Sequence, residues 1–177
     1  LMHRAHNKVQ AEDALREVRK YFDNFSLDLI YGMPYSSVAS WMKNIEIALG
    51  FTPPHISSYA LTVEPKTVLE NQVKKAKVEL LDEEIVLTQF NVLVEQLIQK
   101  GFEHYEVSNF GQEGFHSVNN SSYWQGKPYL GIGPSAHSFY DNQRSWNINN
   151  NKKYLEGITQ GSLSIERERL TLIDQYN

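Results

Sequence analysis

Helix-like and strand-like segments alternate over the first 110 residues, and this alternation restricts the fold more than any other feature of the sequence. Apolar residues at helical spacing predict helices over 8–22, from Val38 to Leu49 and from Val86 to Leu97. Aromatic and β-branched runs bounded by Gly, Pro or Asn predict strands over 25–31, 55–63 and 102–110. Such alternation is typical of βα units around a parallel sheet whose strands are buried on both faces, in a barrel or in an open sheet.

The amino-acid composition of the sequence changes beyond Gly111. Gly, Asn, Ser and aromatic residues become frequent, which places a boundary near residue 111 and divides the chain into 1–110 and 111–177. Apolar residues that could supply helices of a second domain occur at Tyr154, Leu155, Ile158, Leu170 and Ile173. The sequence therefore predicts an α/β part followed by a smaller second part.

Composition excludes several function classes. The 177 residues carry a formal net charge of −4, so no strong positive field would gather a nucleic acid. The chain has no cysteine, which removes disulfides, thiolate zinc sites, cysteine nucleophiles and thiolate-held iron–sulfur clusters from what it does alone. No stretch approaches the roughly 18 consecutive apolar residues of a spanning helix, and residues 1–6 lack a signal core. We therefore expect a cytoplasmic protein without a membrane span.

Asp28 is the most informative single residue. It lies inside a strand that reads as buried, and a buried carboxylate costs several kcal/mol unless a partner hydrogen-bonds or neutralises it. Ligands of parallel βα folds collect at the carboxyl ends of strands, a few residues beyond Asp28. Arg4 could hold a carboxylate or phosphate in fork geometry. The structural alternative is that Asp28 and Arg4 merely brace each other.

Histidine and aromatic residues give weaker signals. His116 and His137 flank an aromatic stretch and could face a planar ligand, although histidines among aromatic residues are more often structural. Tyr123-Trp124 could stack on a flat ligand or close a small core. The segment from Gly131 to Ala136 resembles a phosphate loop only superficially, and a tight turn is expected there.

Five sequence blocks occur in an order that resembles one protein family. The blocks are Arg4-Ala5-His6, Leu27 to Pro34, Ile56 to Pro65, Tyr105 to Phe110 and Tyr129 to Ser138. Their ordered set, over about residues 1–158, resembles the oxygen-independent coproporphyrinogen III oxidase-like radical S-adenosylmethionine (SAM) proteins. The block Tyr-Glu-Val-Ser-Asn-Phe at 105–110 is similar to the branch regarded as haem chaperones.

The resemblance implies a fold and cofactors. Residues 1–110 would form the second half of a partial (β/α)6, TIM-like radical SAM barrel, and residues 111–177 a linker and the start of a smaller α-rich domain. The family holds a [4Fe–4S] cluster on a Cys-x3-Cys-x2-Cys motif, which this sequence lacks. The cluster ligands are therefore expected outside this segment, and the segment alone is expected to be catalytically silent.

The resemblance also implies site residues. Arg4 and Asp28 match the arginine and aspartate that hold polar parts of SAM, while Ile30 and Thr62 match positions on its adenine side. The family's haem chaperone branch carries His-Asn-x-x-Tyr-Trp, and Asn119 stands in place of that histidine here. An amide is a poor iron ligand compared with imidazole, so haem ligation at this position is not expected.

The resemblance leaves three functions open. The first is a haem-binding and delivery protein, which the block from Tyr105 to Phe110 favours. The second is a true coproporphyrinogen III decarboxylase, and both would have a tetrapyrrole as partner. The third is an α/β small-molecule binding module without redox chemistry.

Overall fold

The computed structural model describes residues 7–171 and 174, which belong to two compact units. The first unit ends at Ser117 and the second begins at Val118. This division lies a few residues beyond the change in amino-acid composition near Gly111.

The described residues of the first unit form four helices and four strands. In chain order they are α1 (Lys8–Tyr21), β1 (Ser26–Tyr31), α2 (Val38–Gly50), β2 (His55–Ala60), α3 (Val68–Lys74), α4 (Glu83–Gln99), β3 (Glu103–His104) and β4 (Asn109–Gly111). The three predicted helices are confirmed as α1, α2 and α4. Each begins at a side chain that accepts a backbone N–H, at Asn7, Ser37 and Asp82 respectively. The short helix α3 was not foreseen.

The sheet of the first unit is mixed, with the strand order β1-β2-β4-β3. Only β1 and β2 pair in parallel, whereas β4 is antiparallel to both β2 and β3. The predicted single strand over 102–110 is wrong, because a turn divides it into β3 and β4. Within that turn the Glu106 carboxylate accepts hydrogen bonds from Ser108 N and from the Asn109 amide, and the Ser108 carbonyl accepts from Ser58 N. The Ser108 N–H is therefore bonded to a side chain and is not available for pairing between strands.

One face of this sheet packs against α2 and α4. The fully buried apolar cluster comprises Trp41, Ile45, Ile56, Leu93, Leu97, Phe102 and Phe110. Leu29 and Tyr31 of β1 pack against it from the same face. Since successive residues of a strand point to opposite faces, Ser26, Asp28 and Ile30 lie on the other face, which we call the open face.

The second unit combines two helices with a three-stranded antiparallel sheet. Its elements are α5 (Val118–Trp124), β5 (His137–Tyr140), β6 (Gln143–Asn147), α6 (Asn151–Gln160) and β7 (Ile165–Arg169). The sequence had indicated helices here and no strands. Asp141 and Asn142 both adopt left-handed backbone conformations, with φ of 49° and 56°, which is the two-residue turn that joins β5 to β6. Ile173 lies outside the described residues.

Gln89 of α4 fixes the connection between β1 and α2. Its side chain is fully buried, and Oε1 accepts a hydrogen bond from Gly32 N at 2.8 Å while Nε2 donates to Ser36 Oγ at 3.0 Å. Its backbone carbonyl accepts from the Trp41 indole N–H at 2.8 Å. Gln89 therefore forms hydrogen bonds with three residues that follow β1, namely Gly32, Ser36 and Trp41.

We predict that Gln89→Leu lowers the free energy of unfolding by about 1–3 kcal/mol, because the Gly32 N–H would lose its partner in a buried position. Urea unfolding of both proteins measures the difference. Gln99→Leu at the exposed end of the same helix is the matched control and should change stability by less than about 0.5 kcal/mol. Equal effects of the two substitutions would contradict the structural role assigned to Gln89.

Candidate functional site

The open face of the sheet presents paired polar rows from β1 and β2. In the parallel register, Ser26 lies beside His55, Asp28 beside Ser57 and Ile30 beside Tyr59. The first of these rows is at the amino-terminal end of both strands, and the last is near their carboxyl-terminal end. The face is therefore polar at its base and apolar near its upper edge.

Asp28 is exposed on this face, so the prediction that it is buried is wrong. Among the described residues β1 lies at an edge of the sheet, and the apolar cluster of α2 and α4 lies against the opposite face. Within residues 7–171 and 174, no side chain or backbone group forms a hydrogen bond or ion pair with its carboxylate. Arg4 lies outside the described residues, so the proposed bracing of Asp28 by Arg4 stays untested. The Asp28 carboxylate is thus accessible to a ligand.

Two other predicted site residues lie at the carboxyl-terminal end of the parallel pair. Ile30 is half-buried on the open face, and Thr62 is exposed two residues beyond β2. The backbone is held where the two strands end, because Leu61 N donates to the Tyr31 carbonyl at 2.9 Å. This bond continues the pairing of β1 and β2 one residue past the end of β2. Ile30 and Thr62 therefore lie near the carboxyl-terminal ends of β1 and β2, and Asp28 lies two residues before Ile30, in the middle of β1.

Gly32 shapes the edge above these residues. Its φ of +74° is one that side chains rarely adopt, and an added Cβ would lie 3.5 Å from the methyl groups of Val86 and 3.7 Å from Leu61 N. Together with the Gln89 side chain, this fixes the backbone where β1 ends. The edge is thus a defined surface rather than a loose loop.

A hydrogen-bonded chain that the sequence analysis missed crosses the base of the open face. His55 is buried, with Nδ1 bonded to Ser26 Oγ and Nε2 bonded to the Tyr105 hydroxyl, each at 2.7 Å. The Tyr105 hydroxyl also accepts from Ser117 N at 3.1 Å. A histidine at the first position of a strand that reads as buried is the signal that could have revealed it, because buried imidazoles need partners.

Burial and neighbouring charges shift the pKa of His55. Burial lowers the pKa of His55 below its ordinary value of 6.5, the nearby Asp28 and Glu106 carboxylates raise this pKa, and His116 lowers it further. The His116 ring stacks on Tyr105 with centroids 4.2 Å apart, and its Nε2 lies 2.9 Å from a Glu103 carboxylate oxygen. The base of the open face is thus occupied by the hydrogen-bonded side chains of Ser26, His55 and Tyr105 and by the His116 ring stacked on Tyr105.

The described residues contain no group of three or more His, Cys, Asp or Glu side chains that could hold a metal ion. The segment from Gly131 to Gly133 is a tight turn, since the Asn147 side chain donates to both of its glycine carbonyls. A Cβ at Gly131 would lie 2.1 Å from the His137 carbonyl oxygen, so only glycine fits. The phosphate-loop interpretation is not supported.

Comparison with known proteins connects this geometry to a family. The chain is 37% identical over 142 residues to "Heme chaperone HemW" of Synechocystis, covering 80% of this chain and 34% of that protein. It is 31% identical over 158 residues to HemW of Bacillus subtilis, covering 89% of this chain and 42% of that protein. The chain belongs to the coproporphyrinogen oxidase-like radical SAM family.

Further comparisons agree with this family. A zebrafish relative named "Radical S-adenosyl methionine domain-containing protein 1, mitochondrial" is 35% identical over 138 residues, which is 77% of this chain and 31% of that protein. The solved structure of coproporphyrinogen III oxidase from Escherichia coli shares the fold, with a TM-score of 0.74 at 18% identity over 96% of this chain and 42% of that one. No family model matches the chain.

The family resemblance read from the ordered sequence blocks, including the haem chaperone branch, is confirmed by these relatives. The mixed α/β fold is confirmed as well. The chain spans less than half the length of the family members that it matches. No helix within the described part of the chain is long and apolar enough to cross a membrane.

The network around His55 predicts a dependence of stability on pH. Because the pKa of His55 is lower in the folded than in the unfolded protein, the unfolded protein binds the proton more readily as pH falls below about 6.5. Stability is therefore retained above this pH and lost on acidification. The difference in unfolding free energy between pH 7.5 and 5.5 should be smaller in His55→Gln than in the wild type.

Tyr105→Phe serves as the control, since it removes one hydrogen bond to His55 and keeps the titrating imidazole. It should lower stability at both pH values and still show a larger loss on acidification than His55→Gln. An unchanged pH dependence in His55→Gln would show that His55 does not contribute to it.

Proposed function

We propose that this chain contributes to the SAM site of a radical SAM protein of haem metabolism that binds a tetrapyrrole. The observation that supports the proposal is the position of Ile30 and Thr62 near the carboxyl-terminal end of the parallel pair, with the exposed Asp28 carboxylate on the same strand and face as Ile30. Ligands of folds built on parallel strands bind at this end.

The chemistry of these residues fits SAM. Its ribose hydroxyls and ammonium group are hydrogen-bond donors, and the exposed Asp28 carboxylate is an acceptor that no described residue uses. Ile30 offers an apolar contact for the adenine ring, and Thr62 offers a hydroxyl at its edge. Arg4 would hold the SAM carboxylate in fork geometry.

The residues of this chain do not fit the iron–sulfur cluster. Its usual thiolate ligands are cysteines, and the sequence contains none. The cluster would be held by a part of the protein outside this sequence, and bound cluster and SAM would supply the radical chemistry. This chain's part is to bind and orient the nucleoside.

Haem binding and delivery is the favoured role of the whole protein. The block from Tyr105 to Phe110 supports it, as do the relatives whose printed names are those of haem chaperones. Oxidative decarboxylation of coproporphyrinogen III is the second candidate, which the fold of the solved oxidase supports. Titration with haem and an assay for protoporphyrinogen formation distinguish the two. A cytoplasmic location is proposed for either.

The SAM site is tested in the full-length protein with a reconstituted cluster. Asp28→Asn keeps the shape of the side chain and removes its charge, and a hydrogen bond to a charged group contributes about 1.5–3 kcal/mol. We therefore expect SAM affinity, measured by isothermal titration calorimetry, to fall by roughly tenfold or more.

Asp23→Asn is the matched control, because Asp23 is exposed in the turn before β1 and pairs with Arg19 at 3.0 Å. It should bind SAM as the wild type does. Wild-type affinity in Asp28→Asn would refute the assignment of Asp28, and a wild-type protein that neither binds nor cleaves SAM would refute the proposed function.

A further inference from the structure

Four ring side chains lie on one face of the sheet in the second unit, and we call this surface the aromatic face. In the antiparallel register His137 lies beside Trp146, and Phe139 lies beside Arg144. An isolated bridge pairs Tyr129 with Phe139, which adds Tyr129 to the same face. Residues that pair directly across strands share a face, so Tyr129, Phe139, His137 and Trp146 form one surface.

The rings of this surface are in contact. The Tyr129 and Phe139 centroids are 6.2 Å apart, and the His137 and Trp146 rings stack at 5.7 Å with an interplanar angle of 28°. Tyr123 of α5 meets Tyr129 edge-to-face at 4.8 Å. These contacts form two ring groups on the same face, one of Tyr123, Tyr129 and Phe139 and one of His137 and Trp146.

The rings of the aromatic face are not fully buried. Every fully buried hydrophobic side chain among the described residues belongs to the first unit. Tyr129, Phe139 and Trp146 are only half-buried, while Tyr123 and His137 are exposed. Partly exposed aromatic side chains on one face leave apolar surface available to a ligand.

Two polar side chains on the same face, His137 and Arg144, can bind specific groups of a ligand. His137 is exposed, and within the described chain its ring nitrogens form no hydrogen bond or ion pair, so they are free to bind a metal. Arg144 is about half exposed and only loosely paired, with its guanidinium 3.6 Å from Glu168. A cation at this position can bind a ligand carboxylate.

Two acidic side chains border the aromatic face, and each has a partner within it. Glu166 accepts a hydrogen bond from the Trp146 indole at 2.9 Å, and Glu168 pairs with Arg144. Both belong to β7, at the far edge of the sheet, whereas His137 and Phe139 belong to β5. The ring surface and the carboxylates are therefore on different strands.

We propose that the aromatic face binds an iron tetrapyrrole, with His137 as an axial ligand of the iron and Arg144 bound to a propionate. The flat macrocycle would lie against the rings of Phe139 and Tyr129. The inference rests on the proposed function in so far as that function requires a tetrapyrrole, and it names the residues of this chain that hold it.

Two other residues are poorer candidates for the axial iron ligand. Asn119 is exposed at the start of α5, but its side-chain amide is a poor iron ligand. His116 belongs to the first unit, where it stacks on Tyr105 and lies against Glu103. Among the three residues, only His137 combines an imidazole with free ring nitrogens and an open aromatic neighbourhood.

The experiment uses the full-length protein and two porphyrins that differ only in the metal. Haemin and metal-free protoporphyrin IX are titrated into the wild type and into His137→Ala, and the Soret band is followed. Haemin affinity should fall by roughly tenfold or more in His137→Ala, with a shifted Soret maximum. Protoporphyrin IX has no iron to ligate, so its affinity should change by less than about twofold.

The role of Arg144 is tested with haemin and its dimethyl ester. Arg144→Gln should weaken binding of haemin by roughly fivefold and leave the affinity for the ester unchanged, because the ester has no carboxylate to pair. Arg167→Gln is the matched control, since Arg167 lies on the same sheet but pairs with Ser145 on the opposite face. It should bind both compounds as the wild type does.

Three results would overturn the inference. The first is wild-type haemin affinity in His137→Ala, which is the expected result if another segment of the full-length protein covers the aromatic face. The second is a loss of haemin binding in His116→Ala with none in His137→Ala. The third is a wild type that binds SAM but not haemin. Because SAM binding is measured separately, failure of this inference is distinguishable from failure of the SAM site.

Discussion

The structure of the first unit depends on the one-sided burial of its parallel strand pair. Ile56 and Leu29 turn their side chains toward α2 and α4, where Ile45, Leu93 and Leu97 are fully buried. Burial of each such side chain contributes about 1.5–3 kcal/mol. Because the period of a strand is two, the same packing that buries these residues directs Asp28 to the opposite face.

The open face follows from this constraint. Polar residues at its base, among them His55 and Tyr105, satisfy one another through hydrogen bonds and a stacked ring, whereas the Asp28 carboxylate higher up has no such partner among the described residues. A face whose side chains are paired at its base, and whose Asp28 carboxylate two residues before Ile30 is unpaired, is suited to bind a ligand above that base. The Gln89 side chain fixes the backbone that follows β1 through its hydrogen bonds to Gly32 and Ser36.

The sequence predicted what is set by local interactions. The helices α1, α2 and α4 were found because a capping side chain and an apolar stripe lie within each segment. The division of the predicted third strand was missed because it depends on bonds made by the Glu106 side chain and on a partner at Ser58. The burial of Asp28 was wrong for a related reason, since burial depends on what covers the second face and not on the strand itself.

The candidate site shows the same limit. Ordered sequence blocks were sufficient to indicate Asp28, Ile30 and Thr62, whereas the chain through His55 emerged only when the register placed it beside Ser26. The aromatic face likewise depends on strand pairing between segments that the sequence indicated as irregular or helical. Long-range pairing is the information that a single sequence does not display.

Hydrogen–deuterium exchange of the full-length protein, with and without SAM, tests most directly whether the open face of β1 and β2 receives the nucleoside. The account predicts that SAM slows exchange in the backbone segments at 32–36 and 61–64, which follow the two strands, and leaves α1 unchanged. Protection confined to segments away from these strand ends would contradict it.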